Sequence, residues 1–307
     1  MTTLADLAEL VRAPAALSVP GDVVAGAAAA GTLSPRTPAL AGASVLLYWA
    51  GMAANDWADR RLDAVERPER PIPSGRVTPA AAVGLAAGLT AAGVGLAAAV
   101  GGRRAAALAV PLAATIWGYD LLAKNTAAGP AVMAACRGLD VLLGASGGRL
   151  ARALPSAITV AAHTWTVTEL SRREVSGADA ALPLRTLAGT AVVAASAVVA
   201  SPGVRRVARR TADPAGVPAS RTRWAGIAPA LPAVLAGWYA ARYGAAQVRV
   251  VQDPSAGKVR AAVGAGITGL PALQGALTAR GGAGLLGLAV AAAAPLGRRL
   301  ARKVSPT

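Results

Sequence analysis

The sequence predicts an all-α membrane protein, a polytopic transmembrane helical bundle of about nine spans, or ten if the last apolar stretch is divided. Three observations predict it. The chain of 307 residues is 54% hydrophobic and 15% charged, with a mean hydropathy of +0.48, whereas soluble domains carry roughly 25% charged residues. Charge is absent from long runs at 37–55, 77–102, 153–168, 186–204, 261–279 and 281–297. Several of these approach the roughly 20 apolar residues that cross a hydrocarbon core. Trp49, Trp57, Trp117, Trp224 and Trp238 lie near run ends, as at membrane interfaces. A soluble Ala-rich bundle is the competing reading, but such runs leave it no polar face. The many small residues suit close helix approach in lipid.

In chain order, Met1–Leu17 reads as a short amphipathic surface helix, without the basic segment and cleavage site of a signal peptide. Spans follow near 15–33, 37–57, 78–100, 104–122, 127–147, 153–171, 183–202, 224–244, 259–278 and 281–298, in a single domain over residues 1–307. The polar stretches at 58–77 and 169–182 follow spans two and six, and Asp120–Thr126 follows span four. All three therefore emerge on one side, which hints at a four-helix unit repeated once. Arg60, Arg61, Arg67, Arg70 and Arg76 favour the cytoplasm for that side. By the same count Arg205, Arg206, Arg209, Arg210, Arg221 and Arg223 fall on the opposite side.

The net charge of +16 is spread in short clusters between apolar runs. That suits anionic lipid headgroups rather than nucleic acid, which is excluded as a partner. Cys136 and His163 each occur alone, so neither a disulfide framework nor a multi-His metal site is available.

The acidic residues are concentrated. Asp56, Asp59, Asp63, Glu66 and Glu69 lie in one stretch, and Asp120, Asp140, Glu169, Glu174 and Asp179 lie at or near the ends of spans four to six. On a helix, Asn55, Asp59 and Asp63 recur at i, i+4 and i+8 and form one stripe, about 6 Å apart along the axis. Like charges so spaced call for a cation. Hard oxygen ligands suit Mg²⁺ shared with substrate phosphates, and neighbouring arginines suit phosphate oxygens. A solvated charged loop is the plain alternative.

The pattern N-D-x-x-D-x-x-x-D followed by R-P-x-R-P-x-P-x-G (Asn55 to Gly75) resembles the first aspartate-rich motif of the UbiA superfamily of intramembrane prenyltransferases. Tyr119 to Lys124 is similar to that family's Tyr-x-x-x-x-Lys element, and Gly129 to Gly144 looks like a branch found in bacterial ebo-type gene clusters. The resemblance implies a UbiA-like bundle with a central cavity open to lipid. It implies an integral protein of the bacterial cytoplasmic membrane whose active site faces the cytoplasm. Its partners would be a prenyl diphosphate donor, an acceptor and membrane lipids.

By that resemblance, Asn55, Asp56, Asp59 and Asp63 at the first motif would hold Mg²⁺, with Glu169, Glu174 and Asp179 at the second. Asp59, Asp63, Tyr119 and Lys124 would be catalytic. Asn55, Arg67, Arg70, Asp120, Arg137, Asp140 and Arg172 would bind substrate. The second motif departs from the family, since 168-TELSRREVSGADAALP-183 has Glu for Asp and a spacing of five, so a second Mg²⁺ would bind differently. Asp120 stands where relatives often have Ser or Pro and is a candidate base for the acceptor. Tyr119 would face the allylic cation, or else anchor at the interface. His163 reads as a helix-packing hydrogen bonder, and Asp22 and Arg12 as interfacial. A terpene cyclase with the same metal clamp, or a transporter or lipid-binding protein with a decayed second site, are the rivals. The acceptor (aromatic acid, quinone precursor, lipid or polyol), the prenyl length and the oligomeric state stay open, and 3% aromatic content without Phe offers no strong stacking site.

Overall fold

The structure is a computed structural model and describes residues 2–179, 181–199 and 228–293. Every regular element among these residues is a helix. Helix α1 (Leu4–Leu10) opens with a capping box: the Thr3 hydroxyl accepts from the Asp6 amide and Asp6 accepts from the Thr3 amide. The hydrogen bonds from Thr3, with help from Arg76, hold the Asp6 carboxyl down at about 2. Arg76 donates to Asp6 at 2.8 Å and to Glu9 at 2.7 Å. Leu10 is fully buried against Ala53, Ala54, Ile72 and Val77. The amphipathic N-terminal helix is thus present but stops at Leu10. Pro14 cannot supply a helical amide, and the chain turns through a short 3₁₀ segment, Ala13–Ser18, entered by Arg12 at φ 45°.

Helix α2 (Pro20–Ala30) begins with Pro at its first position, where no amide is needed, and ends at Gly31 with φ 71°. It covers only the middle of the expected span 15–33. Helix α3 (Thr37–Glu66) has 30 residues, about 45 Å, against a hydrocarbon core of about 30 Å. It therefore outruns the expected 37–57, and much of the acidic stretch read as a loop is helix. Helix α4 (Pro79–Gly118) breaks at Gly102, φ 66°. Its two arms, 79–101 and 103–118, fold back on each other, with Trp117 Nε1 donating to Thr90 at 3.1 Å. These arms are the expected third and fourth spans.

A π-helical turn, Tyr119–Ala123, follows. Then come α5 (Gly129–Gly144), α6 (Leu150–Ser171) and α7 (Ala181–Val198). Beyond residues 200–227 lie α8 (Leu231–Gln252), α9 (Ala256–Arg280) and α10 (Gly284–Ala293). The arginine cluster at 205–223 and the outer ends of three expected spans lie outside the described residues. The last two apolar stretches are separate helices turned at Gly282, φ 95°. Their close approach at Gly275 and Gly287 leaves no space for a Cβ on either.

Neighbouring helices pack in sequence order from α3 to α9, and α2 closes the ring between α3 and α9 while also touching α5 and α6. The crossing of α2 and α5 is the tightest. A Cβ on Gly26 would strike the Val141 carbonyl, and one on Gly144 would strike that of Val23. Among the described residues, three helical segments, Thr37–Glu66, Pro79–Ala123 and Ala181–Val198, are long and apolar enough to cross a membrane by length and composition.

Candidate active site

The first motif occupies the final turns of α3, where the helix leaves the apolar part of the bundle. Because the stripe is helical, Asn55, Asp59 and Asp63 point the same way, and other elements bring partners to them. Asp59 Oδ1 receives Lys124 Nζ at 2.6 Å, so the expected catalytic Asp and Lys meet. Asp63 Oδ2 receives Arg70 Nη1 at 2.6 Å, and Arg67 lies 3.7 Å from Oδ1. Asp56 is held by Arg12 at 2.6 Å and by Arg70 at 3.4 Å. Asn55 Nδ2 donates to Asp120 Oδ1 at 3.0 Å. Asp120 is buried within the π turn, an irregularity that often marks functional sites, and Tyr119 begins the same turn.

The second motif is reached through the loop after α4. Arg172 donates to the Thr126 carbonyl, and Arg260 donates to the Glu174 carbonyl at 2.8 Å. Gly177, at φ 77°, sits against the Pro254 carbonyl, where a Cβ would collide. The three polar loops therefore share one end of the bundle, linked from Asp59 through Lys124, Thr126 and Arg172 to Glu174. Burial raises the Glu174 carboxyl above its ordinary range, with Arg260 opposing.

The first-motif carboxylates, expected as metal ligands, are paired in this structure with Arg12, Arg67, Arg70 and Lys124. Among the described residues no three His, Cys, Asp or Glu side chains converge as a metal cluster. Asp56 in particular is committed to two arginines. In the second motif Asp179 is engaged as a cap, its Oδ1 accepting from the Leu182 amide at 2.8 Å at the start of α7. Glu169 is half-buried on the last turn of α6, and Glu174 is the acid of that motif nearest the contacts just described.

The donor set nonetheless suits a hard divalent cation. Asp63 Oδ1 is a buried oxygen without a hydrogen-bond partner among the described residues, and the Asp59 side chain, about one-quarter exposed, has its second oxygen outside the Lys124 pair. Asn55 stands one turn before Asp59.

A second polar group lies deeper in the bundle. Asp22 was expected at the interface, but it is fully buried and receives Arg137 Nε at 2.8 Å and Gln274 Nε2 at 2.6 Å. Asp140, also fully buried, accepts from Ser44. Arg137 lies over the Tyr48 ring, 5.4 Å from its centroid. Arg137 and Asp140 thus belong to this deep group, away from the α3 end. Arg12 was likewise read as interfacial and instead reaches Asp56. The signal for Ser44 and Tyr48 was present: they precede Asn55 on the same α3 stripe, at i−11 and i−7. His163 packs as expected, its Nδ1 2.8 Å from the Tyr239 hydroxyl.

Residues 18–248 match the UbiA prenyltransferase family. The chain belongs to that family. Among its relatives, the digeranylgeranylglyceryl phosphate synthase of Natronomonas pharaonis is 34% identical over 191 residues, 61% of this chain and 69% of that protein. The synthase of the same name from Methanothrix thermoacetophila is 49% identical over 69 residues, 22% of this chain and 25% of that protein; that match spans only a quarter of the relative's length. A solved structure of a digeranylgeranylglyceryl phosphate synthase in membranes superposes with a TM-score of 0.64 at 14% identity, over 90% of this chain and 97% of that one. A UbiA homologue from Aeropyrum pernix gives 0.53 at 20% identity, over 82% and 96%. This UbiA-family chain is therefore an all-helical integral membrane protein, and prenyl transfer is the reaction class of its family. Enzymes of the family generally use Mg²⁺ with a prenyl diphosphate.

Proposed function

We propose that the protein transfers a prenyl group from an allylic prenyl diphosphate to a lipid-like acceptor within the membrane, using the α3 end of the bundle as its diphosphate clamp. The observation that carries this reading is the meeting of Asp59 with Lys124 and of Asp63 with Arg70. Four basic side chains and the acidic stripe are gathered at one membrane-proximal end. Asn55, Asp59 and Asp63 would hold Mg²⁺, which when bound supplies neutralisation of charge on the leaving pyrophosphate. Lys124, Arg70, Arg67 and Arg12 would turn from their carboxylates to the phosphate oxygens and stabilise the charge that develops there.

The donor's C1–O bond breaks with its electron pair leaving on pyrophosphate, and the acceptor nucleophile forms the new bond to C1. Asp120, held by Asn55 beside Gly51, receives the nucleophile's proton. Tyr119, from the same turn, lines the path of the allylic cation, and the apolar walls of α3 and α4 keep water from it. Arg172 ties the loop after α4 to the second motif, and Glu174 completes the acidic end. The arginines around the motif support a cytoplasmic orientation in the cell membrane. The relatives' names point to a glyceryl lipid as the kind of acceptor.

The test is turnover in nanodiscs with geranyl, farnesyl and geranylgeranyl diphosphates against an acceptor panel. Magnesium-dependent formation of a prenylated lipid with stoichiometric pyrophosphate is expected. Its absence with every donor and acceptor pair would overturn the proposal.

A further inference from the structure

Two guanidiniums of the clamp, Arg12 and Arg70, come from separate parts of the chain and converge on one atom. Arg12 Nη2 lies 2.6 Å and Arg70 Nη1 3.4 Å from Asp56 Oδ1. Neither sits on a regular helix. Arg12 stands in the left-handed region, φ 45°, which L side chains seldom enter and which persists only where flanking structure over-determines it. Arg70 lies in the loop between α3 and α4. Arg76 holds both.

A guanidinium has five N–H donors, and Arg76 uses every one. Its Nη1 donates to Asp6 Oδ1 at 2.8 Å and to Glu9 Oε2 at 2.7 Å. Its Nη2 donates to Glu9 Oε1 at 3.0 Å and to the Glu69 carbonyl at 2.7 Å, and its Nε to Ser74 Oγ at 3.1 Å. From there two short paths lead to the clamp. Glu9, gripped by both arms of the fork, accepts the Arg12 amide on its carbonyl at 3.0 Å. Ser74 in turn donates to the Arg70 carbonyl at 2.7 Å. A single exposed ion pair would contribute little, but a bidentate network with every donor placed can fix the segments it joins. With no donor left over, Arg76 has nothing to offer a phosphate. That separates its role from those of Arg12, Arg67, Arg70 and Lys124.

We propose that Arg76 is a positioning residue of the diphosphate clamp: without touching substrate, it straps α1 to the loop after α3 so that Arg12 and Arg70 reach the donor's phosphates together. This rests on the prenyltransferase reading and deepens it.

The test is the affinity of magnesium pyrophosphate for the full chain in nanodiscs, measured by titration calorimetry on variants that thermal melts show to be folded. Lysine keeps the charge but not the planar fork, so Arg76→Lys should weaken binding by about tenfold, the scale of one misplaced charge-assisted hydrogen bond. Glu9→Ala removes a negative charge, which by electrostatics alone would tighten anion binding. Slackening the strap should instead weaken it by about threefold. In an Arg12→Gln background, Arg76→Lys should cost only about twofold, because residues that act through one another are not additive. Unchanged or tighter binding by folded Arg76→Lys or Glu9→Ala protein overturns the inference, as does an equal loss in the two backgrounds, which a merely structural Arg76 would give. Glu9 is exposed, so Glu9→Ala decides alone if Arg76→Lys fails to fold. Failure of wild-type protein to bind magnesium pyrophosphate would overturn the clamp and this inference with it, whereas wild-type binding with unaltered variants strikes this inference alone.

Discussion

Asp179 and Lys124 show how differently two charged residues in motif positions are used. The Asp179 carboxylate accepts from the Leu182 amide, a helix cap of the kind worth about 1 kcal/mol. Asp179→Ala should lower thermal stability by about that amount, whereas Asp179→Asn, which caps equally well, should leave both stability and magnesium dependence near wild type; thermal melts and magnesium titrations of turnover check this. Lys124 lies against Asp59 at 2.6 Å and is placed to exchange that carboxylate for a phosphate oxygen. Lys124→Met should cut the rate of pyrophosphate release by about a hundredfold, the scale of losing one charge-stabilising donor. Lys124→Arg should recover part of it. Both of these residues were legible in the sequence as members of polar patterns, but the pattern does not say which atom each carboxylate or ammonium meets. Arg12 and Asp22 were misread for the same reason. Their partners, Asp56 and Arg137, are far away in the chain, and only helix packing brings them together.

At the scale of elements, apolar runs predicted where most helices lie because a charge-free run has few other ways to satisfy its backbone in lipid. Their ends were harder to read. Helix α3 continues to Glu66 because nothing between Asn55 and Glu66 breaks a helix, and its charges are satisfied by Arg12, Arg67, Arg70 and Lys124. Helix α2 is shorter than its apolar run because Pro14 and Pro20 divide the chain before it and Gly31 ends it. Which helices cross was not written in any local pattern. The α2–α5 contact depends on Gly26 and Gly144, each facing a carbonyl that belongs to rigid helical backbone. Gly26→Ala and Gly144→Ala are each expected to destabilise the fold by about 2 kcal/mol or more, as overpacking does. A fall in the thermal midpoint of purified protein is the readout. The same change at Gly84, whose Cβ position meets nothing within 4 Å, serves as the control.

For the whole molecule, the ring of helices places the first motif, the π turn and the second-motif loop at one end, as the count of spans required. It also buries a charged group at its centre, which that count could not foresee. The arrangement links ligand binding to stability. Magnesium and pyrophosphate together, at about 100 times their dissociation constant, should stabilise the folded protein by about 2.7 kcal/mol, and Asp63→Asn should abolish that gain. The most direct measurement is magnesium-dependent pyrophosphate release from geranylgeranyl diphosphate by wild-type protein and by Asp59→Ala and Asp63→Ala in the same nanodiscs. The clamp predicts release by wild type and none above background from either variant, with both variants still folded. Normal release from either folded variant would contradict it.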